Sequence, residues 1–154
     1  MISSSNDSWQ QLVQELFVRR DAAGGGAVGV ASATAGEGTS FVAAHLAAEL
    51  ARTIEQPTLL LEANVFRPTQ AGRHGVEPEP GLRRVLADRE FSLDHVLRQT
   101  GIESLWLLSS GAPGVTGAAP DWTSFPRLLA RLRERFRALV LDLPPVNLDR
   151  KSVV

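Results

Sequence analysis

The sequence predicts an α/β domain in which helices cover both faces of a mostly parallel sheet. Short segments that are apolar throughout alternate along the chain with segments whose apolar residues recur at helical spacing. Strands of this kind need cover on both faces, and alternating strands and helices provide it in a three-layer fold. The four predicted strands are residues 27–32, 57–64, 104–111 and 138–146.

Composition limits the classes of protein that the chain can represent. Its 154 residues suffice for one domain with a sizeable core, and its net charge of −1 does not favour a nucleic-acid partner. There is no cysteine, and no run reaches the roughly 18 apolar residues of a membrane span. The first residues do not predict a signal peptide. The chain has no tyrosine, and Lys151 is its single lysine.

The N-terminal residues predict an amphipathic helix ahead of the main domain. A glycine-rich linker follows it, so we divide the chain into residues 1–26, with leader, helix and linker, and residues 27–154, the main domain. The apolar face of the helix is expected to pack on that domain or on a partner. Its apolar residues at helical spacing are Trp9, Leu12, Leu16 and Phe17.

Helical periodicity is clearest after two of the predicted strands. Residues 39–54 place alanine, leucine and isoleucine on one broad apolar face, and residues 125–136 form a second helix with its arginines mostly on the wet side. Residues 67–81, dense in proline and glycine, predict a long loop. The segment 81–101 carries two shorter helical patterns.

The segment “SATAGEGTS”, which ends at Ser40, has the features of a phosphate-binding loop. It joins a predicted strand to a predicted helix, and its glycines let backbone N–H groups converge on an anion at the positive end of the helix. Gly36, Gly38, Thr39 and Ser40 can therefore cradle a phosphate. The full pattern GxxxxGK[ST] is incomplete, because Ala33 replaces the first glycine and Thr39 the lysine. Taken alone, the segment is equally consistent with a plain turn before a helix.

Two later segments favour the phosphate-loop interpretation. “LLLEANVFRP” follows one helix and one strand later, and “LVLDLPPV” ends the fourth predicted strand. Its Asp142 stands where a Walker-B carboxylate would hold the water shell of a metal ion. Three such segments in this order are much less frequent by chance than one. Together they predict a P-loop NTPase-like domain.

These segments resemble the bacterial tyrosine kinase family, the cytoplasmic ATPase domains of exopolysaccharide chain-length regulators, within the larger group of partition and septum-site ATPases. Members read approximately “SAxPGEGKST…NLA”, “LLIDADLRRP”, “GLxxVL”, “LxxLxxG…P” and “DxPPV”. This chain reads “SATAGEGTSFVAAHLA”, “LLLEANVFRP”, “GLRRVL”, “LWLLSSG” and “DLPPV”. The resemblance extends from about Ala27 to Val146, nearly the whole chain.

The resemblance implies roles for particular residues. Glu62 and Asp142 would be the catalytic carboxylates, and Ser40 and Asp142 would hold the metal. The residues implied to bind the nucleotide are Gly36, Glu37, Gly38, Thr39, Ser40 and Arg67.

The chain departs from the family pattern at residues that the family uses for catalysis and nucleotide binding. Thr39 stands at the lysine position, Ala35 at a proline, and Glu62 and Asn64 replace two aspartates. The lysine contacts the β- and γ-phosphates, and losing one such contact typically costs about 2.7–4 kcal/mol in the transition state. Arg67, or an arginine from a partner, can substitute in the manner of an arginine finger.

The chain also differs from the family at its C-terminal end. It ends eight residues after Val146, where members continue with strands that complete the sheet and the adenine pocket. The domain is therefore expected to be incomplete there. The tyrosine-rich tail that such kinases phosphorylate is not expected either, because the chain has no tyrosine.

The first functional hypothesis is a degenerate tyrosine-kinase-like protein of exopolysaccharide or capsule biosynthesis, a regulatory or scaffolding subunit. It would bind ATP and Mg²⁺ weakly or not at all. The second is an active kinase or ATPase in which another group replaces the lysine. The third is a septum-site-like protein of pilus assembly or localisation.

The expected partner is a membrane-anchored polysaccharide chain-length regulator or a second copy of the chain. This would place the protein in the cytoplasm, at the inner face of the membrane through its partner. A sheet that ends with residues 138–146 is expected to leave an open edge and an uncovered apolar face, which favours association.

Overall fold

The computed structural model describes residues 3–18, 26–112 and 120–147. Residues 21–25 of the predicted linker 21–26 and the C-terminal residues with Lys151 lie outside the described part of the chain, whereas Gly26 is the first residue of a strand.

A five-stranded sheet forms the centre of the protein, with the strand order β1-β5-β2-β4-β3. β1, β5, β2 and β4 are mutually parallel, and β3 is antiparallel to β4 at one edge. The predicted three-layer α/β fold with a mostly parallel sheet is confirmed. The strands are β1 Gly26–Val30, β2 Thr58–Glu62, β3 Leu97–Gln99, β4 Leu105–Leu108 and β5 Ala138–Asp142.

In the described part of the chain, five α-helices cover the sheet. A π-helical turn, Gln14–Val18, extends the first of them, and short 3₁₀ turns precede β3 and the last helix. Among the described residues, no helix has both the length and the apolar character needed to cross a membrane. The helices are α1 Ser3–Val13, α2 Thr39–Ile54, α3 Gln70–His74, α4 Leu82–Ala87 and α5 Phe125–Arg135.

The strands β2, β4 and β5 are mainly apolar because each supplies side chains to two cores. Successive side chains of a strand point to opposite faces. Leu60 and Val140 therefore join a core with α1 and α2, whereas Leu59 and Leu139 join a core with α4 and α5. All four of these side chains are fully buried. The two cores place the sheet between two helical layers.

The N-terminal helix packs on α2 rather than standing apart from the main domain. Val13 and Phe17 are buried in the core that α2 forms with the sheet. One residue of the predicted apolar face was wrong. Leu12 remains 39 % exposed, and Val13 takes the buried position instead.

Three other predictions about the elements were wrong. The second helical pattern of segment 81–101 is a 3₁₀ turn that leads into the edge strand β3. The predicted loop 67–81 contains the short helix α3. The last strand, β5, is central and paired on both sides, so the sheet edges are β1 and β3.

Gly81 lets the start of α4 lie directly against the chain that follows β4. Leu82 N–H donates to Ser109 O over 2.7 Å, and a Cβ on Gly81 would lie 2.4 Å from Gly111 N. We expect Gly81→Ala to reduce the free energy of unfolding by about 1–3 kcal/mol, because backbone atoms must move. Urea unfolding measures this. Gly72→Ala in α3 is the control, since its Cβ would meet no atom within 4 Å; equal losses for both variants would contradict the explanation.

Candidate functional site

A cleft of about 640 Å³ opens where β1, β2 and β5 end. Its walls are the loop between β1 and α2, the segment from β2 into α3, and the residues that follow β5. Val146 N–H and Asn147 N–H donate to Ser32 O and Ala33 O, which holds the last of these segments beside the loop. The carboxyl ends of parallel strands are where ligands bind in open α/β sheets.

The loop before α2 has the backbone shape that its glycines permit. Gly36 and Gly38 adopt φ values of 84° and 83°, in the left-handed region that favours glycine. Gly38 precedes α2, and no side chain caps the helix start. The first N–H groups of a helix have no intrahelical acceptor, and they carry the positive end of its dipole. The loop and the first turn, with Thr39 and Ser40, can therefore receive an anion.

The predicted nucleotide-binding residues are not all placed alike around the cleft. Gly36, Gly38, Thr39 and Ser40 line it, as does Arg67.

Glu37 differs from these residues because its carboxylate turns back on its own loop. Its Oε2 accepts a hydrogen bond of 3.3 Å from Thr34 N–H. This carboxylate therefore occupies one backbone donor of the loop.

Two arginines supply positive charge to the cleft. Arg67 and Arg73 both line it, and in the described part of the chain neither guanidinium forms an ion pair. The Arg73 guanidinium lies 5.9 Å from the centre of the Phe41 ring, beside the first turn of α2. Phe41 and Phe66 are about half exposed and also line the cleft. Sequence reasoning missed Arg73, because no motif marks it and only the turn of α3 brings it to α2.

His74, the neighbour of Arg73, adds no charge near neutral pH. Burial lowers the pKa of His74 below its ordinary value of 6.5, and the adjacent Arg73 lowers it further. The imidazole is therefore neutral at pH 7, which leaves the positive charge of this region to the arginines.

Glu62 is fully buried, and its carboxylate holds three segments together. Its Oε1 accepts from Thr69 N–H at 2.6 Å and from Gln70 N–H at 2.9 Å. Its Oε2 accepts from Ser110 N–H at 3.0 Å and from the Ser110 hydroxyl at 3.3 Å. Glu62 does not line the cleft. The geometry makes it an anchor for the start of α3 and the end of β4.

Asp142 is the register partner of Glu62 in the β2–β5 pair, and it is also fully buried. Its Oδ2 accepts a hydrogen bond of 2.9 Å from Gln70 Nε2, and the same amide nitrogen donates to Ser40 O over 2.8 Å. Asp142 Oδ1 and Gln70 Oε1 have no donor within the described residues. Gln70 therefore stands between the predicted Walker-B carboxylate and the start of α2.

The residues that the resemblance assigns to Mg²⁺ do not fit the ion in this arrangement. Asp142 has no exposed surface, so a hydrated cation in the cleft does not reach it. Asn64 Oδ1 accepts from Phe66 N–H and Arg67 N–H and supports its own loop. No group of three histidine, aspartate or glutamate side chains suited to a metal occurs in the described ranges. Ser40 is thus the one predicted metal ligand on the cleft wall.

Comparison with known proteins gives one curated relative and several solved structures. No family model matches the chain. Tyrosine-protein kinase ptk of Acinetobacter johnsonii is 29 % identical over 110 residues, which are 71 % of this chain. The chain spans 15 % of the length of that relative.

The solved structures share the fold at low sequence identity. The chimerical protein CapA2B2 superposes with a TM-score of 0.76 at 22 % identity, over 95 % of this chain and 64 % of that protein. The kinase domain of the Escherichia coli tyrosine kinase ETK gives 0.74 at 22 %, over 91 % and 55 %.

A septum-site ATPase shares the fold as well. The septum site-determining protein MinD of Pyrococcus horikoshii, complexed with Mg-ADP, gives a TM-score of 0.65 at 20 % identity, over 84 % of this chain and 52 % of that protein. The comparisons confirm the predicted resemblance: the chain has the fold of bacterial tyrosine kinase domains and, more broadly, of P-loop septum-site ATPases.

Proposed function

We propose that the chain is a degenerate tyrosine-kinase-like subunit of exopolysaccharide or capsule biosynthesis, with a regulatory or scaffolding role and weak or no ATP turnover. The observation that carries this proposal is the neutral Thr39, which lines the cleft at the position that the family resemblance gives to the lysine. The likeness to a tyrosine-protein kinase supports the kinase-like part.

The residues of the cleft are suited to binding more than to chemistry. The N–H groups at the start of α2 and the hydroxyls of Thr39 and Ser40 can hold a phosphate. Neither predicted catalytic carboxylate reaches the cleft, because Glu62 and Asp142 are buried and bonded to protein donors. A general base must lie within hydrogen-bond reach of the proton that it takes. Weak turnover follows from this placement.

Genetic complementation tests the scaffolding role directly. A deletion strain of the native host would receive either the unmodified gene or Asp142→Asn, which removes the Walker-B charge at nearly constant size. A scaffold predicts that both genes restore exopolysaccharide production. Restoration by the unmodified gene alone would favour an enzyme. A defect in pilus assembly or division, with normal polysaccharide, would favour the septum-site-like role.

The partner proposed for this subunit is a membrane-anchored chain-length regulator or a second copy of the chain, which would keep the protein at the cytoplasmic face of the membrane. β1 is a sheet edge, and edge strands expose unpaired backbone groups. Leu12 on α1 and Trp122 before α5 are large apolar side chains that remain partly exposed. These features support association that does not depend on ATP.

Light scattering checks this association. We expect the purified chain to self-associate at tens of micromolar, equally with and without ATP. Alternatively, crosslinking in cells is expected to recover a membrane-anchored partner. A monomer in solution together with no crosslinked partner would contradict the expectation.

A second candidate function is an active ATPase or kinase in which an arginine replaces the lysine. The guanidiniums of Arg67 and Arg73, which line the cleft and form no ion pair within the described residues, favour it. It predicts that Arg73→Gln weakens ATP binding at least about tenfold, because charge-assisted contacts contribute roughly 1.5–3 kcal/mol. Calorimetry measures this, with Arg52→Gln at the far end of α2 as control. No ATP binding by the unmodified chain would reject this candidate.

A further inference from the structure

The side-chain amide of Gln70 joins two parts of the fold that are distant in sequence. Its two N–H groups have two acceptors, Asp142 Oδ2 at the end of β5 and Ser40 O in the first turn of α2. Both partners are acceptors, so the nitrogen of the amide must face them. The amide nitrogen therefore lies between the Asp142 carboxylate and the backbone carbonyl of Ser40, a residue that lines the cleft.

Gln70 is held in this place from its own backbone. Its N–H donates to Glu62 Oε1, and its side chain is fully buried. Gln70 and Asp142 both have no exposed surface, whereas Ser40 lines the cleft. Because both its backbone N–H and its side-chain amide are hydrogen-bonded, the Gln70 side chain is fixed between Ser40 and Asp142.

We propose that Gln70 seals the Asp142 carboxylate from divalent cations, so that the cleft takes a phosphate-bearing ligand without Mg²⁺. The inference rests on the proposed function in one respect, namely that the cleft is a phosphate site. Positive charge for the ligand then comes from Arg67 and Arg73, which line the same cleft.

Chemistry explains why removing the seal would create a cation site. Asp142 Oδ1 has no donor in the described part of the chain, and loss of the Gln70 amide would leave Oδ2 without one as well. A carboxylate that is opened to the cleft, which Ser40 also lines, offers the hard oxygen ligands that Mg²⁺ and Mn²⁺ prefer. Gln70→Ala is therefore expected to gain a property that the unmodified chain lacks.

Paramagnetic broadening by Mn²⁺ tests the seal and detects even weak binding. In ¹⁵N-labelled unmodified protein, Mn²⁺ is expected to leave the amide resonances of Ser40 and Asp142 as sharp as those of the sheet interior. In Gln70→Ala the same resonances should broaden selectively. Selective broadening in the unmodified protein, or no broadening in a folded Gln70→Ala, would overturn the proposal.

A second variant covers the chance that Gln70→Ala does not fold. Gln70→Asn keeps an amide but shortens the side chain by one methylene, so it should also admit Mn²⁺. If neither variant folds, the unmodified protein still decides, because any selective broadening at Ser40 and Asp142 contradicts the seal.

Titration with ADP tests the ligand half of the proposal and separates its failure from that of the proposed function. The affinity of the unmodified chain for ADP should be the same in EDTA and in Mg²⁺. Tighter binding in Mg²⁺, or no ADP binding in either condition, would overturn metal-free phosphate binding. The scaffolding role would survive both of these results, because complementation tests it without any ligand.

Discussion

Replacing Thr39 by lysine is expected to raise the affinity of the chain for ATP by about 10- to 100-fold. Thr39 lines the cleft at the first residue of α2, where its hydroxyl carries no charge. A lysine there would add a compact cation beside the loop N–H groups. Hydrogen bonds to charged groups contribute roughly 1.5–3 kcal/mol, which gives the stated range. Calorimetric titration of ATP, in EDTA and in Mg²⁺, measures the change.

Thr39→Gln is the matched control for this substitution. It adds length and hydrogen-bonding capacity at the same position without charge, so its affinity for ATP should stay near that of the unmodified chain. If Thr39→Lys binds ATP no better than Thr39→Gln, the missing lysine is not what limits binding. Asn64, or the burial of Asp142 behind Gln70, would then be what limits binding.

Replacing Glu62 by glutamine is expected to lower the free energy of unfolding by roughly 1–3 kcal/mol. The buried carboxylate accepts from three backbone N–H groups and one hydroxyl. Glutamine would turn an NH₂ group toward one pair of these donors, and each buried donor left unpaired costs roughly 1–3 kcal/mol. Turned toward Ser110, the amide leaves only the Ser110 N–H without an acceptor, because the Ser110 hydroxyl can accept from the NH₂ group and donate to Gly111 O. Urea denaturation followed by circular dichroism measures the loss.

Glu134→Gln on the exposed face of α5 is the control for Glu62→Gln, and it should change the stability by less than about 0.5 kcal/mol. An unfolding midpoint of Glu62→Gln equal to that of this control would show that the Glu62 carboxylate does not anchor α3 and β4. The positions of Gln70 and Asp142 would then need another explanation.

Most of the fold could be predicted because its signals are local. The segments that became β1, β2, β4 and β5 are apolar throughout, and α2 and α5 show clear helical periodicity. The edge strand β3 could not be predicted, since three residues with only Leu97 buried are too short for any periodicity. The strand order could not be predicted either. The apolar sequence of β5 does not indicate which strands are its neighbours, and the structure places it between β1 and β2.

Only those residues of the candidate site that belong to sequence motifs could be predicted. The loop with Gly36 and Gly38 occupies the place that its sequence context indicates. The position of Gln70 depends on a contact with Asp142 across 72 residues, and no local pattern encodes such a contact. The burial of Glu62 likewise depends on donors from α3 and from the end of β4.

Release of γ-phosphate from ATP by the purified chain tests the central claim most directly. The account predicts weak or no turnover with Mg²⁺, far below the range typical of kinases, and the same result for Asp142→Asn. Turnover in the range typical of kinases, about 1–100 s⁻¹, would contradict the account if Asp142→Asn abolished it.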